Sequence, residues 1–206
     1  MRYLVSGIGT DVGKTLVSAV LVQAFGDAYW KPIQAGDLYN TDTHKVQRWV
    51  SKTSVQYFPE KYALHTPASP HYAAEIDKVH ISLEDFVCPQ VNGNLIIEGA
   101  GGLLVPINDK NYVADFALHF QAKVILVIKH YLGSINHSLL SLAYLQSQNI
   151  ALQAVVFNGE ENEASESAIL RFLNQNTPIV RVPHLAEISP ESIAQIARKL
   201  PKEMLL

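Results

Sequence analysis

Short runs of consecutive apolar residues alternate along the chain with longer segments in which apolar residues recur at helical spacing. The runs are rich in β-branched residues and predict buried strands, whereas the spaced segments predict helices with one buried face. Strands that are apolar throughout and alternate with helices are typical of a parallel sheet covered on both faces. The predicted strands are 2–6, 28–33, 94–99, 122–128, 152–158 and 178–183, and the predicted helices are 15–25, 112–120, 134–148 and 162–175.

Two segments have a weaker pattern. Residues 50–92 contain prolines and aromatic residues without a clean period, which predicts loops and short helices over one end of the sheet. The tail, 189–206, is amphipathic with mixed charge and predicts a packing helix with a short frayed end. Because no repeat, low-complexity tract or linker interrupts the pattern, we expect one domain over residues 1–206.

The composition narrows the class of protein. A chain of 206 residues, 48% hydrophobic and 17% charged, suits one compact domain with a sizeable core. The formal charge of −3 offers no clustered positive surface for a nucleic acid. The single cysteine, Cys88, cannot form an internal disulfide, and no apolar run approaches the ~20 residues of a membrane span. With a start too short for a signal peptide, we expect a cytoplasmic protein without nucleic-acid or membrane partners.

The stretch "GIGTDVGKT", residues 7–15, lies between the first predicted strand and the first predicted helix. A phosphate-binding P-loop is expected to read G, four residues, G-K-[ST], but the slot for its first glycine holds Ile8, with a glycine on either side. A strand-to-helix turn that merely needs glycine is the alternative. The Lys14–Thr15 pair at the start of a helix favours a phosphate site with a loop lengthened by one residue.

Three charged residues beyond this loop suit phosphoryl transfer. Lys31 lies at the end of the second predicted strand, at the same sheet edge as the P-loop. It is either a surface lysine whose ammonium reaches water or a second cation that contacts the transferring phosphate. Asp42 lies in a turn that precedes a helix. The cap of this helix could be Asp42, Asn40 or Thr41. Glu98 ends an apolar strand and precedes glycines, the usual position of a carboxylate that holds Mg²⁺ beside a P-loop.

The segments "GTDVGKT", "KPIQAG", "NTD", "EGAGGLLVPI" and "GSINHSLL", in this order, closely resemble the dethiobiotin synthetases, ATP-dependent ligases of biotin synthesis. The resemblance extends from residue 3 to about residue 187. It implies an α/β, single-domain, three-layer αβα P-loop NTPase fold with a mostly parallel central sheet. It also implies that 7,8-diaminopelargonate (7,8-diaminononanoate), CO₂ and ATP react with Mg²⁺ as cofactor, in a homodimer with the substrate site at the subunit interface.

The resemblance also implies residue roles. Catalytic roles are expected for Lys31, Lys14 and Thr10, with Thr10 near the carbamate that forms from the diamine and CO₂. Nucleotide contacts are expected from Asp11, Val12, Gly13, Lys14, Thr15, Leu16, Asp42, Glu98, Gly99, Ala100, Gly101, Asn158, Gly159, Pro183, His184 and Leu185. Substrate contacts are expected from Lys31, Ala35, Gly36, Gly133, Ser134, Ile135 and Asn136, and metal ligands from Thr15, Asp42 and Glu98.

Two positions depart from the family pattern, and two rival functions stay open. Ala35 lacks the hydroxyl that the family usually has there, and Tyr131 stands where some members have a basic residue. One rival is a P-loop ATPase of the partition or septum-positioning type, although those proteins carry an extra lysine where this chain has Ile8. The other is a regulatory nucleotide-binding protein without ligase activity.

Overall fold

A sheet of seven parallel strands forms the centre of the computed structural model, which describes residues 1–201 and Met204. Two further three-residue strands, β3 and β5, pair with each other in a separate small sheet. In chain order the strands are β1 Arg2–Gly7, β2 Ala28–Trp30, β3 Ile33–Ala35, β4 Gln56–Phe58, β5 Tyr62–Leu64, β6 Leu95–Gly102, β7 Lys123–Ile128, β8 Leu152–Asn158 and β9 Ile179–Val182.

The large sheet has helices on both faces. Three helices that pack together (α1, α2 and α7) form one group, and α5 packs against α6 in another. The helices are α1 Lys14–Ala24, α2 Asp42–Trp49, α3 Pro70–Asp77, α4 Asp115–His119, α5 Ser134–Ser147, α6 Glu163–Leu170 and α7 Pro190–Ala197. The central strands β1, β7 and β8 are buried at nearly every position, as strands covered on both faces require. The predicted three-layer α/β fold with a parallel sheet is therefore confirmed.

The order of strands in the large sheet is β4-β2-β6-β1-β7-β8-β9. All of its strand pairs are parallel, so all seven carboxyl ends lie at one edge. The neighbouring strands β2, β6 and β1 bring Lys31, the glycine-rich half of β6 and the glycine loop to that edge. Ligands of open parallel sheets bind beyond this edge, where the strand order reverses.

The structure corrects several boundaries. Residues 50–92 contain the strands β4 and β5 as well as α3. The two strands were not predicted, because a three-residue strand is too short to show a period and forms only beside its partner strand. The predicted strand 28–33 divides at Pro32, whose ring removes a backbone donor. Predicted helices 112–120 and 162–175 shorten to α4 and α6.

The tail agrees with the prediction as far as it is described. Helix α7 packs against α1, and its N-cap Ser189 forms a reciprocal capping box with Ser192. Residues 202, 203, 205 and 206 lie outside the described residues, so the predicted frayed end is not assessed. No helix among residues 1–201 has the length and apolar character that crossing a membrane requires.

Candidate active site

The glycine loop joins the end of β1 to the start of α1 and is tied to a distant strand. Gly13 has a left-handed backbone, with φ of 91°, and precedes the first helical residue, Lys14. The Asn158 amide at the end of β8 donates a hydrogen bond of 2.8 Å to the Val12 carbonyl. A Cβ atom at residue 13 would collide with this amide, so both the space and the backbone angle require glycine. The Asn158 hydrogen bond therefore fixes the loop at the amino end of α1, a position that suits phosphate oxygens.

A buried cluster of opposite charges lies beside the loop. The Lys31 ammonium lies 2.8 Å from Asp42 Oδ2 and 3.1 Å from Glu98 Oε1, and it donates to the Gly99 carbonyl at 3.2 Å. The Thr15 hydroxyl donates to Glu98 Oε1 at 2.8 Å. Only 4% of Lys31 and 1% of Glu98 is exposed. Lys31 is thus a buried, paired cation, and the reading of it as a surface lysine is wrong.

Strand register explains why these two charges meet. In the parallel pairing of β2 with β6, Trp30 lies opposite Ile97, which brings the next residues, Lys31 and Glu98, side by side. The prediction that Glu98 ends its strand is wrong, since β6 continues to Gly102. A Cβ atom at residue 102 would lie 3.3 Å from backbone atoms of the glycine loop, so glycine permits this close continuation.

The pKa values of the cluster follow from burial and pairing. Burial by itself would lower the pKa of Lys31, but the carboxylates of Glu98 and Asp42 outweigh it and raise this pKa. Burial would raise the pKa of Asp42, but Lys31 and, more weakly, Lys45 lower it to about 2. At neutral pH the cluster therefore contains a charged lysine and an ionised aspartate.

Lys14 is the second buried cation of the site. Its ammonium donates to the Gly9 carbonyl at 3.0 Å, and 7% of the residue is exposed. Burial and, after it, the positive charge of Lys31 lower the pKa of Lys14 to about 8. The two ammonium groups thus repel each other in the absence of an anion between them, which favours the binding of a polyanion such as a triphosphate.

The loop that carries Asp42 is fixed by side chains that the sequence analysis did not identify. The Gln34 amide donates to the Gly36 carbonyl at 2.9 Å, and its oxygen accepts from the Asp42 amide at 3.1 Å. Lys45, one turn along α2, lies 3.4 Å from Asp42 Oδ1 and 3.0 Å from Asp37. Its spacing of three residues from Asp42 on a helix is the signal that could have revealed it.

Thr41 caps the helix that Asp42 begins. Its hydroxyl accepts from the His44 amide, and its own amide donates to the His44 ring, which forms a capping box. Of the three predicted capping residues, Thr41 therefore has this role, which leaves the Asp42 carboxylate available to the cluster.

Most of the predicted phosphate and metal residues line one cavity of about 930 Å³ at the carboxyl edge of the sheet. Val12 and Gly99 are not among the lining residues, and they contribute the carbonyls that accept from Asn158 and Lys31. The predicted residues that line the cavity are Thr10, Asp11, Gly13, Lys14, Thr15, Leu16, Lys31, Ala35, Asp42, Glu98, Ala100 and Gly101.

The helix start that is predicted to contact the substrate lies at a second cavity of about 890 Å³. Gly133, with φ of 101°, is the N-cap of α5, and it lines this cavity together with Ile135 and Asn136. Ser134 is buried instead, and its carbonyl accepts from a serine one turn later. Tyr131 lines the same cavity and shares a hydrogen bond of 2.8 Å with a ring nitrogen of His137.

The remaining residues predicted to contact the nucleotide lie at the ends of the neighbouring strands β8 and β9. Gly159 comes after Asn158, and its amide donates to the carbonyl of Val182 at 2.8 Å. This hydrogen bond holds the end of β8 beside the turn that contains Pro183, His184 and Leu185. Pro183 and His184 are exposed and Leu185 is half-buried, so the turn has surface for a ligand.

The predicted metal ligands fit Mg²⁺ as a group of hard oxygens. Thr15 and Glu98 are hydrogen-bonded, and the Asp42 and Glu98 carboxylates both contact the Lys31 ammonium. Within the described part of the chain, no three His, Cys, Asp or Glu residues converge on a metal position. Two carboxylates and a hydroxyl match Mg²⁺, which usually retains several waters and takes further oxygens from substrate phosphates.

Tyr29 is a further member of the cluster that the sequence analysis missed. It is fully buried, and its hydroxyl donates to Glu98 Oε2 at 2.8 Å. Burial and then the Glu98 charge raise the pKa of Tyr29 well above its ordinary value, so the hydroxyl remains a donor. Side chains alternate between the two faces of a strand, so Tyr29 lies on the same face as Lys31, two residues later. This spacing is the feature of the sequence that could have pointed to Tyr29.

The fold and the glycine loop define a P-loop nucleotide-binding protein. A family model described as an AAA domain matches residues 1–193. The septum site-determining protein MinD complexed with Mg-ADP, from Pyrococcus horikoshii, superposes with a TM-score of 0.54 over 98% of this chain and 97% of that chain. With 12% sequence identity, this likeness concerns the fold alone.

Two curated relatives place the chain more narrowly. The ATP-dependent dethiobiotin synthetase BioD of Christiangramia forsetii is 44% identical over 200 residues, 96% of each chain. The protein of the same name from Cytophaga hutchinsonii is 45% identical over 97% of this chain and 96% of its own. The chain therefore belongs to the ATP-dependent dethiobiotin synthetase family.

Proposed function

We propose that the chain is an ATP-dependent dethiobiotin synthetase of biotin biosynthesis, which converts 7,8-diaminopelargonate, CO₂ and ATP to dethiobiotin, ADP and phosphate. The observation that carries the proposal is the buried ammonium of Lys31 between Asp42 and Glu98, directly beside the P-loop residues. A nucleotide switch needs no second lysine buried at the end of a strand, whereas phosphoryl transfer to a carbamate needs positive charge beside both anionic reactants.

The reaction has three bond-forming steps. One amine of the diamine attacks the carbon of CO₂ and loses a proton, which gives a carbamate. A carbamate oxygen then takes the γ-phosphoryl group as its bond to ADP breaks, which forms a mixed carbamic–phosphoric anhydride. The second amine attacks the carbamate carbon, the carbon–oxygen bond breaks, and phosphate leaves as the amine loses its proton. The ring is thereby closed without a nucleophile from the protein.

The chain's own residues bind and orient the reactants. We assign the triphosphate to the loop Asp11–Leu16, because the first backbone amides of a helix have no partner within it and suit phosphate oxygens. Lys14 and Lys31 offset the negative charge that spreads over the transferring phosphoryl group. Thr10 lines the same cavity and is assigned to the carbamate. Binding both reactants in one cavity makes their reaction effectively unimolecular, which lowers its entropic cost.

Three residues would hold Mg²⁺: Thr15 through its hydroxyl, and Asp42 and Glu98 through their carboxylates. When bound there, the ion would supply positive charge to offset that of the terminal phosphates. Both carboxylates also contact the Lys31 ammonium, so the same two side chains would serve the ammonium and the metal. Gly99, Ala100 and Gly101 follow Glu98 and would bring backbone close to the phosphates.

For adenine we assign Asn158, Gly159 and the turn Pro183–Leu185. Asn158 has one amide hydrogen committed to Val12, which leaves its oxygen and a second hydrogen for the base. A donor and an acceptor side by side match the edge of adenine. This assignment supports ATP as the nucleotide.

We also infer a homodimer in which Gly133–Asn136 of one subunit complete the substrate site of the other, near Ala35 and Gly36. The amino end of α5 suits a carboxylate. Large apolar side chains on this side are exposed, among them Leu132 and Leu140, and exposed apolar patches mark interaction sites. A cytoplasmic location agrees with the need for ATP.

One assay tests the function. Purified protein is incubated with MgATP and bicarbonate, with or without the diamine, and phosphate release and dethiobiotin are measured. A synthetase releases phosphate only with the diamine, in equal amounts with dethiobiotin. Phosphate release without the diamine would indicate an ATPase switch, and no release would indicate a regulatory binder; either result would refute the proposal.

A further inference from the structure

The buried hydroxyl of Tyr29 has no place in the chemistry assigned so far. Tyr29 lies in β2, has no exposed surface, and donates its hydroxyl to Glu98 Oε2 at 2.8 Å. Its phenol is too deeply buried to reach a substrate in the cavity, and it does not line that cavity. Any function of the hydroxyl must therefore act through Glu98.

The two oxygens of the Glu98 carboxylate have different partners. Oε1 accepts from the Thr15 hydroxyl at 2.8 Å and lies 3.1 Å from the Lys31 ammonium. Oε2 accepts instead from the Tyr29 hydroxyl, at 2.8 Å. A carboxylate that is held at both oxygens cannot rotate freely about its last carbon–carbon bond. The Tyr29 hydroxyl therefore fixes the plane of the Glu98 carboxylate.

The tether comes from rigid parts of the fold. Strands β2 and β6 are hydrogen-bonded neighbours, and Tyr29 lies opposite Ile96, two residues before Glu98. A donor on a strand of the sheet is positioned more accurately than a donor on a surface loop. The ring of Tyr29 also packs near that of Tyr57 in the next strand, with ring centroids 6.3 Å apart.

We propose that Tyr29 is a positioning residue for the divalent metal. Its hydroxyl orients the Glu98 carboxylate so that Oε1 faces both the Thr15 hydroxyl and the Lys31 ammonium. The proposal rests on the assignment of Glu98 as a metal ligand in the proposed function. Mg²⁺ demands nearly ideal octahedral geometry, so a ligand that rotates loses affinity. Residues that orient a metal ligand typically contribute 10–100-fold to metal affinity.

The test measures metal binding directly, with Mn²⁺ as the probe. Mn²⁺ is added to protein in excess over ADP, and the free ion is measured by electron paramagnetic resonance. Tyr29→Phe removes the donor and keeps the ring, and we expect the Kd for Mn²⁺ to rise about 10-fold. Tyr57→Phe removes a hydroxyl from the neighbouring ring and should leave this Kd unchanged. ADP affinity in EDTA should be the same in all three proteins, because the P-loop is untouched.

A double variant separates positioning from a general loss of packing. If Tyr29 acts through Glu98, Tyr29→Phe has no further effect on Mn²⁺ binding in a Glu98→Gln background. Incorporation of 4-aminophenylalanine at position 29, which retains a donor, should restore the Kd. Should Tyr29→Phe fail to fold, 4-fluorophenylalanine at the same position keeps nearly the same shape without the donor and gives the same comparison.

The outcomes distinguish this inference from the proposed function. A folded Tyr29→Phe protein with the Kd of the unmodified chain, or an equal loss in the Glu98→Gln background, would overturn the positioning role. Wild-type protein that releases phosphate without the diamine would overturn the proposed function and leave the Mn²⁺ comparison intact. A Glu98→Gln protein that binds Mn²⁺ normally would overturn the inference together with the metal assignment.

Discussion

Replacement of Lys31 by methionine tests the charge cluster that organises the site. Methionine has about the length of the lysine side chain and removes the ammonium, so Lys31→Met leaves the carboxylates of Glu98 and Asp42 without their shared cation. Glu98 is 1% exposed, and water cannot replace the lost partner. We expect a large loss in the free energy of unfolding at neutral pH.

The magnitude follows from distances and burial. At an effective dielectric constant of about 20, unit charges about 3 Å apart attract by about 5 kcal/mol. Desolvation of the ammonium cancels several kcal/mol of the attraction from the two carboxylates, and breaking a buried ion pair from one side typically costs about 3–5 kcal/mol. We therefore expect Lys31→Met to lower the free energy of unfolding by about 3–5 kcal/mol, and Lys31→Met with Glu98→Gln to lower it less.

The loss should depend on pH in a defined direction. Lys31 holds the pKa of Asp42 at about 2, so this stabilisation is present above the ordinary Asp value of about 4 and disappears as pH falls towards 2. The raised pKa of Lys31 keeps its contribution complete below its ordinary value of about 10.5. The difference between the two proteins should be constant from about pH 6 to 7, below the lowered pKa of Lys14 of about 8, and should shrink on acidification.

Urea denaturation followed by circular dichroism measures this difference, with equal m-values as a check that both proteins unfold in the same way. Lys52→Met is a matched control, because Lys52 pairs at 3.5 Å with Asp27 in a half-exposed position, where such pairs contribute about 0–1 kcal/mol. A loss for Lys31→Met no larger than that of the control, or one that grows at acidic pH, would refute the reasoning.

Three further predictions concern the metal, the loop and the nucleotide. Glu98→Gln should raise the Mg²⁺ concentration for half-maximal activity at least ~10-fold with little change in the circular dichroism spectrum; an unchanged Mg²⁺ titration would count against the metal assignment. Gly13→Ala should weaken ADP binding at least ~10-fold in calorimetry, because its Cβ meets the Asn158 amide and its φ of 91° is strained; normal affinity would contradict this geometry. Burial and Lys31 lower the pKa of Lys14 to about 8, so ADP should bind more weakly as pH rises through 8, and the protein should take up a proton on binding ADP near this pH. Calorimetry in buffers of different ionisation heat detects the proton uptake. Its absence would exclude Lys14 as the titrating group.

Features that depend on neighbours along the chain can be predicted from the amino-acid order alone. Apolar runs of five to seven residues predict strands, because a strand buried on both faces needs apolar side chains at every position. The P-loop was also identified correctly, because its glycines, lysine and threonine are contiguous and follow a strand. Thr41 was recognised among the capping candidates for the same local reason.

Which of these residues come into contact depends on how the strands pair in the folded chain. Lys31 and Glu98 are 67 residues apart in the chain, and their contact depends on the register between β2 and β6. The strands β4 and β5 likewise exist because of partners elsewhere, and three residues carry too little pattern to predict them. Tyr29 appears in the sequence as an ordinary apolar strand residue, and its hydroxyl has a role only where β6 brings a carboxylate to it. Local patterns fix the elements, but the pairing of buried charges requires strands to be adjacent, since a buried cation is stable only beside its carboxylates.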